Sequence, residues 1–367
     1  MELYRKTVYC DWGFLELLIS KLGISLPSLD GFVEEEIAKS VKNLLLSSDV
    51  KLFLNMSCEE FDKRLTDIER KRKKAYDNGE ELQLAISEKL ILEIDHKQRN
   101  NELHLHFNSS KIHLDDTLLQ DNYLNAIFFS CEPKDACTEA MNKYGVIVIC
   151  WDNISDFKYL IFDQGVALRK QEANSWKSCL TRHDMIPCNA LIVIDNYILN
   201  DSKSIEENLK EILDSLLPRQ LSKSLYFHLT IFATLSNDRG IPFNSKSRLE
   251  KINEILCQIR PNINFKLSII KCSKDKFHDR TIASNNFYIG CGGGFDLFKN
   301  GKSQKTTTVC AFHPLLNTHT KWTRKAYSDL LFDASKVFKE TSAFDANKMT
   351  DSFPCFAIGD KTNRLLI

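Results

Sequence analysis

The side chains best suited to chemistry in this chain are His278, Asp279 and Arg280, followed shortly by Gly292, Gly293, Gly294, Phe295 and Asp296. On a strand, residues i and i+2 point to one face, so His278 and Arg280 are predicted to project together while Asp279 points away. An imidazole and a guanidinium beside a glycine turn rich in N–H groups suit a phosphate. Asp195 closes the apolar run Ala190–Ile194, and ligand sites in α/β sheets gather at such strand ends. It is expected either to orient His278 or Arg280 or to cap a helix entry. Downstream, Lys321, Arg324 and Lys325 share a helix face by i, i+3, i+4 spacing, with His319 ahead of them and Lys299, Lys302 and Lys305 before that. Such a local positive surface fits nucleic acid or anionic lipid. Trp322 beside it is read as a stacking ring or a core residue.

The elements that position these residues follow from the periodicity. Residues 1–100 read mainly as helix, with Phe14, Leu15, Leu18 and Leu22, and then Val33, Ile37, Val41 and Leu44, forming apolar stripes. A charged helical stretch follows from Cys58, broken at Asp77-Asn78-Gly79. Within it Arg70, Lys71, Arg72, Lys73 and Lys74 are consecutive cations, read as a solvated helix face or as a contact to a phosphate backbone. Leu103, Leu105 and Phe107 alternate with His104 and His106, as in a half-buried strand; the two histidines share a face and form a candidate metal pair without an evident third ligand. From about Leu124 strands alternate with helices, which predicts a layered α/β region with a mainly parallel sheet. The last residues read as irregular, with one apolar knot at Phe353–Ile358.

The chain has 367 residues, 43% of them hydrophobic, enough for a sizeable core in two or three domains. Lys plus Arg equals Asp plus Glu, 49 each, so any anion site must be a local patch on a neutral molecule. None of the twelve cysteines forms a CxxC pair, and several lie in apolar runs, as expected of buried thiols in a reducing compartment. The opening MELYRKTVYCDW does not read as a signal peptide, and no apolar run reaches the length of a membrane span, so a cytoplasmic protein without a membrane partner is expected. The richness in Lys, Asn, Ile, Phe and Ser suggests an AT-rich bacterial genome. Gly-x-Ser-x-Gly, Walker A and Gly-x-Gly-x-x-Gly motifs are absent, and no cofactor is expected.

Across residues 187–340 the chain resembles the phospholipase D-like C-terminal domain of MIT-domain proteins. The resemblance rests on Val193 to Ile198, Phe277 to Ile282, Asn285 to Ile289 and Gly292 to Phe298, in matching order. It implies a phospholipase D-like fold, and a degenerate site. Active enzymes of that type carry His-x-Lys and a following Asp, where this chain has Arg280 and Asn285, and glycines and Asp296 stand at the later Ser and Asn positions. The expected architecture is a helical N-terminal region (1–100), an α/β middle (101–186), a phospholipase D-like domain (187–340) and an irregular tail (341–367). The leading expectation is a phosphodiester-binding or nucleic-acid-binding subunit of a bacterial assembly with protein partners, an anti-phage defence complex being one such home. The site would be His278, Arg280, Asp195, the Gly292–Gly294 amides, Asp296, Lys321 and Arg324. The rival readings are a metal-independent homodimeric nuclease using His278 as nucleophile, a protein scaffold, and a purely structural role in which Asp279 and Arg280 pair internally.

Overall fold

A computed structural model describes residues 6–22, 29–157, 166–169, 175–180, 186–235, 245–277, 279–299, 302–303, 309–315, 321–343 and 355–366. The chain divides into two compact units. One comprises Met1–Ala140, Ile147–Asp163 and Leu316–His319; the other comprises Met141–Val146, Gln164–Leu315 and Thr320–Ile367.

The first unit is built on five parallel strands, β1 (Lys6–Asp11), β2 (Val50–Asn55), β3 (His104–Phe107), β4 (Ile127–Phe129) and β5 (Ile147–Ile149), in the order β3-β2-β1-β4-β5. That order reverses direction between β1 and β4, the mark of a doubly wound sheet. Helices α1 (Trp12–Lys21), α2 (Leu29–Leu45), α3 (Cys58–Asn78) and α4 (Ile86–Arg99) make the crossovers from β1 to β2 to β3, and α5 (Lys134–Tyr144) follows β4. Right-handed crossovers, the usual coupling of strand twist to helix packing, place α1 to α4 on one face of the sheet, where α1 packs on α2 and α4, and α3 on α4. The buried members of the strands, Val8, Cys10, Leu52 and Leu54, alternate with Tyr9, Asp11, Phe53 and Asn55, which are half-buried. The mainly helical reading of 1–100 holds for four helices and omits two strands. Lys6–Asp11 and Val50–Asn55 are strands whose period of two is only six residues long, and long helical runs surround them.

The second unit carries an eight-stranded sheet, β15-β9-β8-β7-β10-β11-β14-β6. Its strands are β6 (Val166–Arg169), β7 (Ala190–Ile194), β8 (Tyr226–Ala233), β9 (Asn264–Lys271), β10 (Thr281–Ser284), β11 (Phe287–Cys291), β14 (Val309–Pro314) and β15 (Phe356–Gly359), with the small hairpin β12 (Phe298–Lys299) and β13 (Lys302–Ser303) outside it. Helices α6 (Trp176–Leu180), α7 (Lys210–Leu216), α8 (Ser245–Ile259) and α9 (Lys321–Glu340) complete it. Strands β7, β8 and β9 are parallel, as expected of strands linked by helices. The remaining pairings between these strands are antiparallel, which corrects the mainly parallel sheet expected here.

The tail is also corrected: β15 lies antiparallel on β9, with Phe356 opposite Lys271. Gly359 has a φ of 100°, and a Cβ there would lie 2.1 Å from the Leu267 carbonyl oxygen, so only glycine ends this strand without a clash. Beyond it the chain is sewn down. The Asn363 amide donates to the Leu191 carbonyl and to Thr230 Oγ1, and the Arg364 guanidinium donates to Asn189 Oδ1 and to the Tyr226 carbonyl, both at 2.9 Å. Asn189 donates onward to the carbonyls of Tyr144 and Gly145. A buried polar network of this kind favours one chain path, because each group that left it would have to be paired elsewhere.

The Arg364 N–H donates to His228 Nδ1 at 2.9 Å, so this imidazole must be neutral. Burial, then the cations Arg364 and Lys266, push its pKa down to about 3. In the unfolded chain His228 binds its proton at the usual imidazole value, about 6.5. Between those values the unfolded state holds more protons, so stability rises with pH and is lost as pH falls from about 6.5 toward 3. Denaturant unfolding of His228→Asn, which keeps an acceptor for the Arg364 N–H, is expected to show a flatter acid limb than the native chain. Parallel limbs would contradict this assignment.

Candidate functional site

The glycine turn of the second unit does assemble several of the expected residues. Gly294 has a φ of 87°, and a Cβ there would meet Asp195 Oδ2 and Asp296 Oδ1, each at 3.1 Å, and Arg280 Cγ at 3.7 Å. The Arg280 guanidinium carbon lies 6.0 Å from the centre of the Tyr197 ring. His278 lies outside the described residues. Arg280 precedes β10 rather than lying within a strand, so the alternation argument for a shared face does not apply to it.

The polar groups of this turn are directed inward. Asp195 is fully buried; its Oδ1 accepts from the N–H groups of Tyr197 (2.7 Å) and Ile198 (3.1 Å), and its Oδ2 from Phe295 N–H (2.5 Å). Burial raises the Asp195 pKa, and the Asp296 carboxylate adds to the rise against the three backbone donors. The Gly294 N–H donates to the Cys291 carbonyl. Asn208 fastens the other end, accepting from Phe298 N–H and donating to the Phe298 carbonyl, while the Trp176 indole donates to the Phe295 carbonyl. Of the expected amide cradle, the Gly294 N–H is therefore taken by the Cys291 carbonyl, and the next amide, Phe295 N–H, by a buried carboxylate. Asp195 is a clamp between the end of β7 and the turn, and its described partners are backbone N–H groups.

The C-terminal positive surface loses one expected member: Lys325 is exposed, but Arg324 is not. Arg324 is 2% exposed, buried on the same side of α9 as Thr323 and Tyr327, and the Tyr327 hydroxyl donates to the Ser284 carbonyl. Helical spacing put Lys321, Arg324 and Lys325 on one face but not the direction that face takes. The side chains of Lys321 and Trp322, together with His319, lie outside the described residues.

Sequence reasoning missed the switch point of the first unit. There Asp11 ends β1, its Oδ2 accepting from Ser130 Oγ (3.1 Å) and Cys131 N–H (2.9 Å), its Oδ1 from the Asn55 amide (3.4 Å). The signal was available, an apolar strand running into Asp11. The crevice between these strand ends, floored by Tyr9, Phe53 and Phe128, has a volume of only about 20 Å³, room for one water rather than a substrate.

The open feature lies between α3 and α4. Ser57 Oγ caps α3 at Glu60 N–H, Glu59 and Glu60 favour its N-terminus, and Gly79 closes it with a φ of 67°. Its buried side chains are Phe61, Ile68 and Ala75, one every seven residues, so most of the helix surface faces water. Arg70 to Lys74 are all exposed. Arg64, Asp67, Arg70, Lys71 and Lys74 line a groove of about 470 Å³ with Ser87, Glu88 and Ile91 of α4, and Ile68 supplies apolar floor. Lys71 pairs with Glu88, which ties the two helices and, with the Ala85 N–H, holds the Glu88 carboxyl below its usual range. Arg64 pairs with Glu60 (2.6 Å) and Arg70 with Asp67 (3.3 Å). Among the described residues no carboxylate pairs with Arg72, Lys73 or Lys74. Of the four cations lining the groove, Arg64, Arg70 and Lys71 meet carboxylates, so the charge that no described ion pair meets is that of Lys74, with Arg72 and Lys73 beside it.

His104 and His106 do share a face of β3, but among the described residues no three His, Cys, Asp or Glu side chains converge as metal ligands. No family model matches the chain. It is similar to the DNA replication and repair protein RecF of Clostridium tetani (strain Massachusetts / E88), 22% identical over 213 residues, covering 54% of this chain and 56% of that protein. The match thus spans little more than half of the relative's length.

The clamp at the glycine turn makes a sharp expectation. Gly292→Ala is expected to change stability by less than about 0.5 kcal/mol, because nothing lies within 4 Å of its added Cβ. Gly294→Ala is expected to cost about 1–3 kcal/mol, from the left-handed backbone and the crowding of Asp195. Urea unfolding of both variants checks this, and equal costs would remove the clamp.

Proposed function

We propose that this chain binds nucleic acid by its phosphodiester backbone along the α3–α4 groove. The carrying observation is the groove itself: Arg64, Arg70, Lys71 and Lys74 on its walls, beside the exposed Arg72 and Lys73. Phosphates along a strand are regularly spaced anions, and a helix bearing consecutive cations answers them without reading sequence. The similarity to a protein named for DNA replication and repair supports the same class of ligand. Overall neutrality is no obstacle, since the field that matters is local. No described helix is long and apolar enough to cross a membrane.

The glycine turn has no part in this reading. Its only described basic group, Arg280, stands among Asp195 and Asp296 and beside Asp279 in sequence, a setting that repels phosphate.

Replacing Arg70, Lys71 and Lys74 together by Ala is expected to weaken binding to an oligonucleotide. It should also flatten the plot of log affinity against log salt by about 2, at roughly 0.7 per lost single-strand phosphate contact. Fluorescence anisotropy titrations over a salt series measure both. An unchanged slope would contradict the assignment. Far-ultraviolet circular dichroism of the triple variant should match the native chain, because all three side chains are exposed.

A further inference from the structure

Four aromatic rings stand side by side on the face of the first unit's sheet opposite Val8 and Leu52: His106 from β3, Phe53 from β2, Tyr9 from β1 and Phe128 from β4. The register aligns them, Phe53 with His106 and Tyr9 with both Phe53 and Phe128. Their planes are near parallel. His106 and Phe53 are 4.7 Å apart at 16°, Phe53 and Tyr9 4.8 Å apart at 29°, and Tyr9 and Phe128 5.4 Å apart at 11°. The spacing follows from the distance between neighbouring strands, so the rings form a column running across the sheet.

Exposure rises along the column. Phe128 is buried, Tyr9 and Phe53 are half-buried and His106 is exposed. Strand β3 is the sheet edge, so no described strand carries the column further. The column therefore ends in an imidazole with its outer face to solvent. Lys51, two residues before Phe53 and on its face, is exposed beside it. Helix α3 packs at the same edge from the other face of the sheet: its Phe61 ring is 5.1 Å from Phe107 of β3, which alternates with His106.

We infer that this open end takes an unpaired nucleobase, stacked on His106 as the next ring of the column, with Lys51 meeting a neighbouring phosphate. The inference rests on the backbone-binding reading above and names its ligand as single-stranded. A flat heteroaromatic ring is the shape that continues the column, and a cation beside the exposed ring suits a base that arrives attached to a phosphate. A paired base, with neighbours stacked above and below it, has no free face to offer.

The test compares an oligothymidylate with a mixed-sequence duplex of equal length, using full-length native chain, His106→Ala, His106→Phe and the α3 triple variant. His106→Ala is expected to lose about fivefold or more in affinity for the single strand and to leave duplex affinity unchanged. His106→Phe, which restores a flat ring, is expected to bind the single strand as the native chain does. Unchanged single-strand binding in His106→Ala, an equal loss on duplex, or a change in self-association with no change in oligonucleotide binding would each overturn the stacking inference. The last result would instead mark the edge of β3 as a protein contact. Loss of binding only in the α3 variant leaves the backbone reading standing alone. Loss only in His106→Ala leaves stacking without it, and a native chain that binds neither probe overturns both.

Discussion

A cation removed from water without a partner is costly, and that constraint decides where α3 can lie. The helix has one narrow buried stripe, Phe61, Ile68 and Ala75, and carries Arg70 to Lys74 in sequence. Five consecutive residues wrap around more than a full turn, so some cations must flank the stripe and the rest must face solvent. The fold meets the constraint by placing α3 at an outer edge and pairing Lys71 with Glu88 of α4. What results is a stable element whose uncompensated charge is displayed rather than neutralised.

The contrast with two other promising places is physical. At the glycine turn, and at the switch point of the doubly wound sheet, a carboxylate takes the donors. Asp195 holds three backbone N–H groups, and Asp11 holds a hydroxyl, an amide and one backbone N–H. Both carboxylates join chain segments distant in sequence, and each makes the site self-sufficient. Each carboxylate thereby uses donors that a phosphate would need. The α3–α4 groove differs in being wide and in lying beside Arg72, Lys73 and Lys74, which no described carboxylate pairs.

Much of the fold class was legible, and the misses have causes. The stripe Ile37, Val41, Leu44 identified α2, and the break at Gly79 identified the end of α3, because helical periodicity over several turns is a strong signal. Strands β1 and β2 are six residues each and sit among helices, so their alternation was absorbed into the helical reading. Strand β15 showed as an apolar knot, but its partner β9 lies far away in the chain and nothing local announces the pairing. Sequence placed Asp195, Arg280 and the glycine turn together, and the structure brings them together around Gly294. It could not show the direction of the hydrogen bonds, which decides between holding an anion and being one. Arg324 fails for a related reason, since spacing defines a face without saying whether it looks inward.

The most direct measurement is amide hydrogen exchange by mass spectrometry, with and without a saturating single-stranded oligonucleotide. The account predicts slowed exchange in peptides covering 58–99 and 104–107, with peptides covering 279–299 unchanged. Protection concentrated at 279–299, with α3 and α4 unaffected, would contradict it.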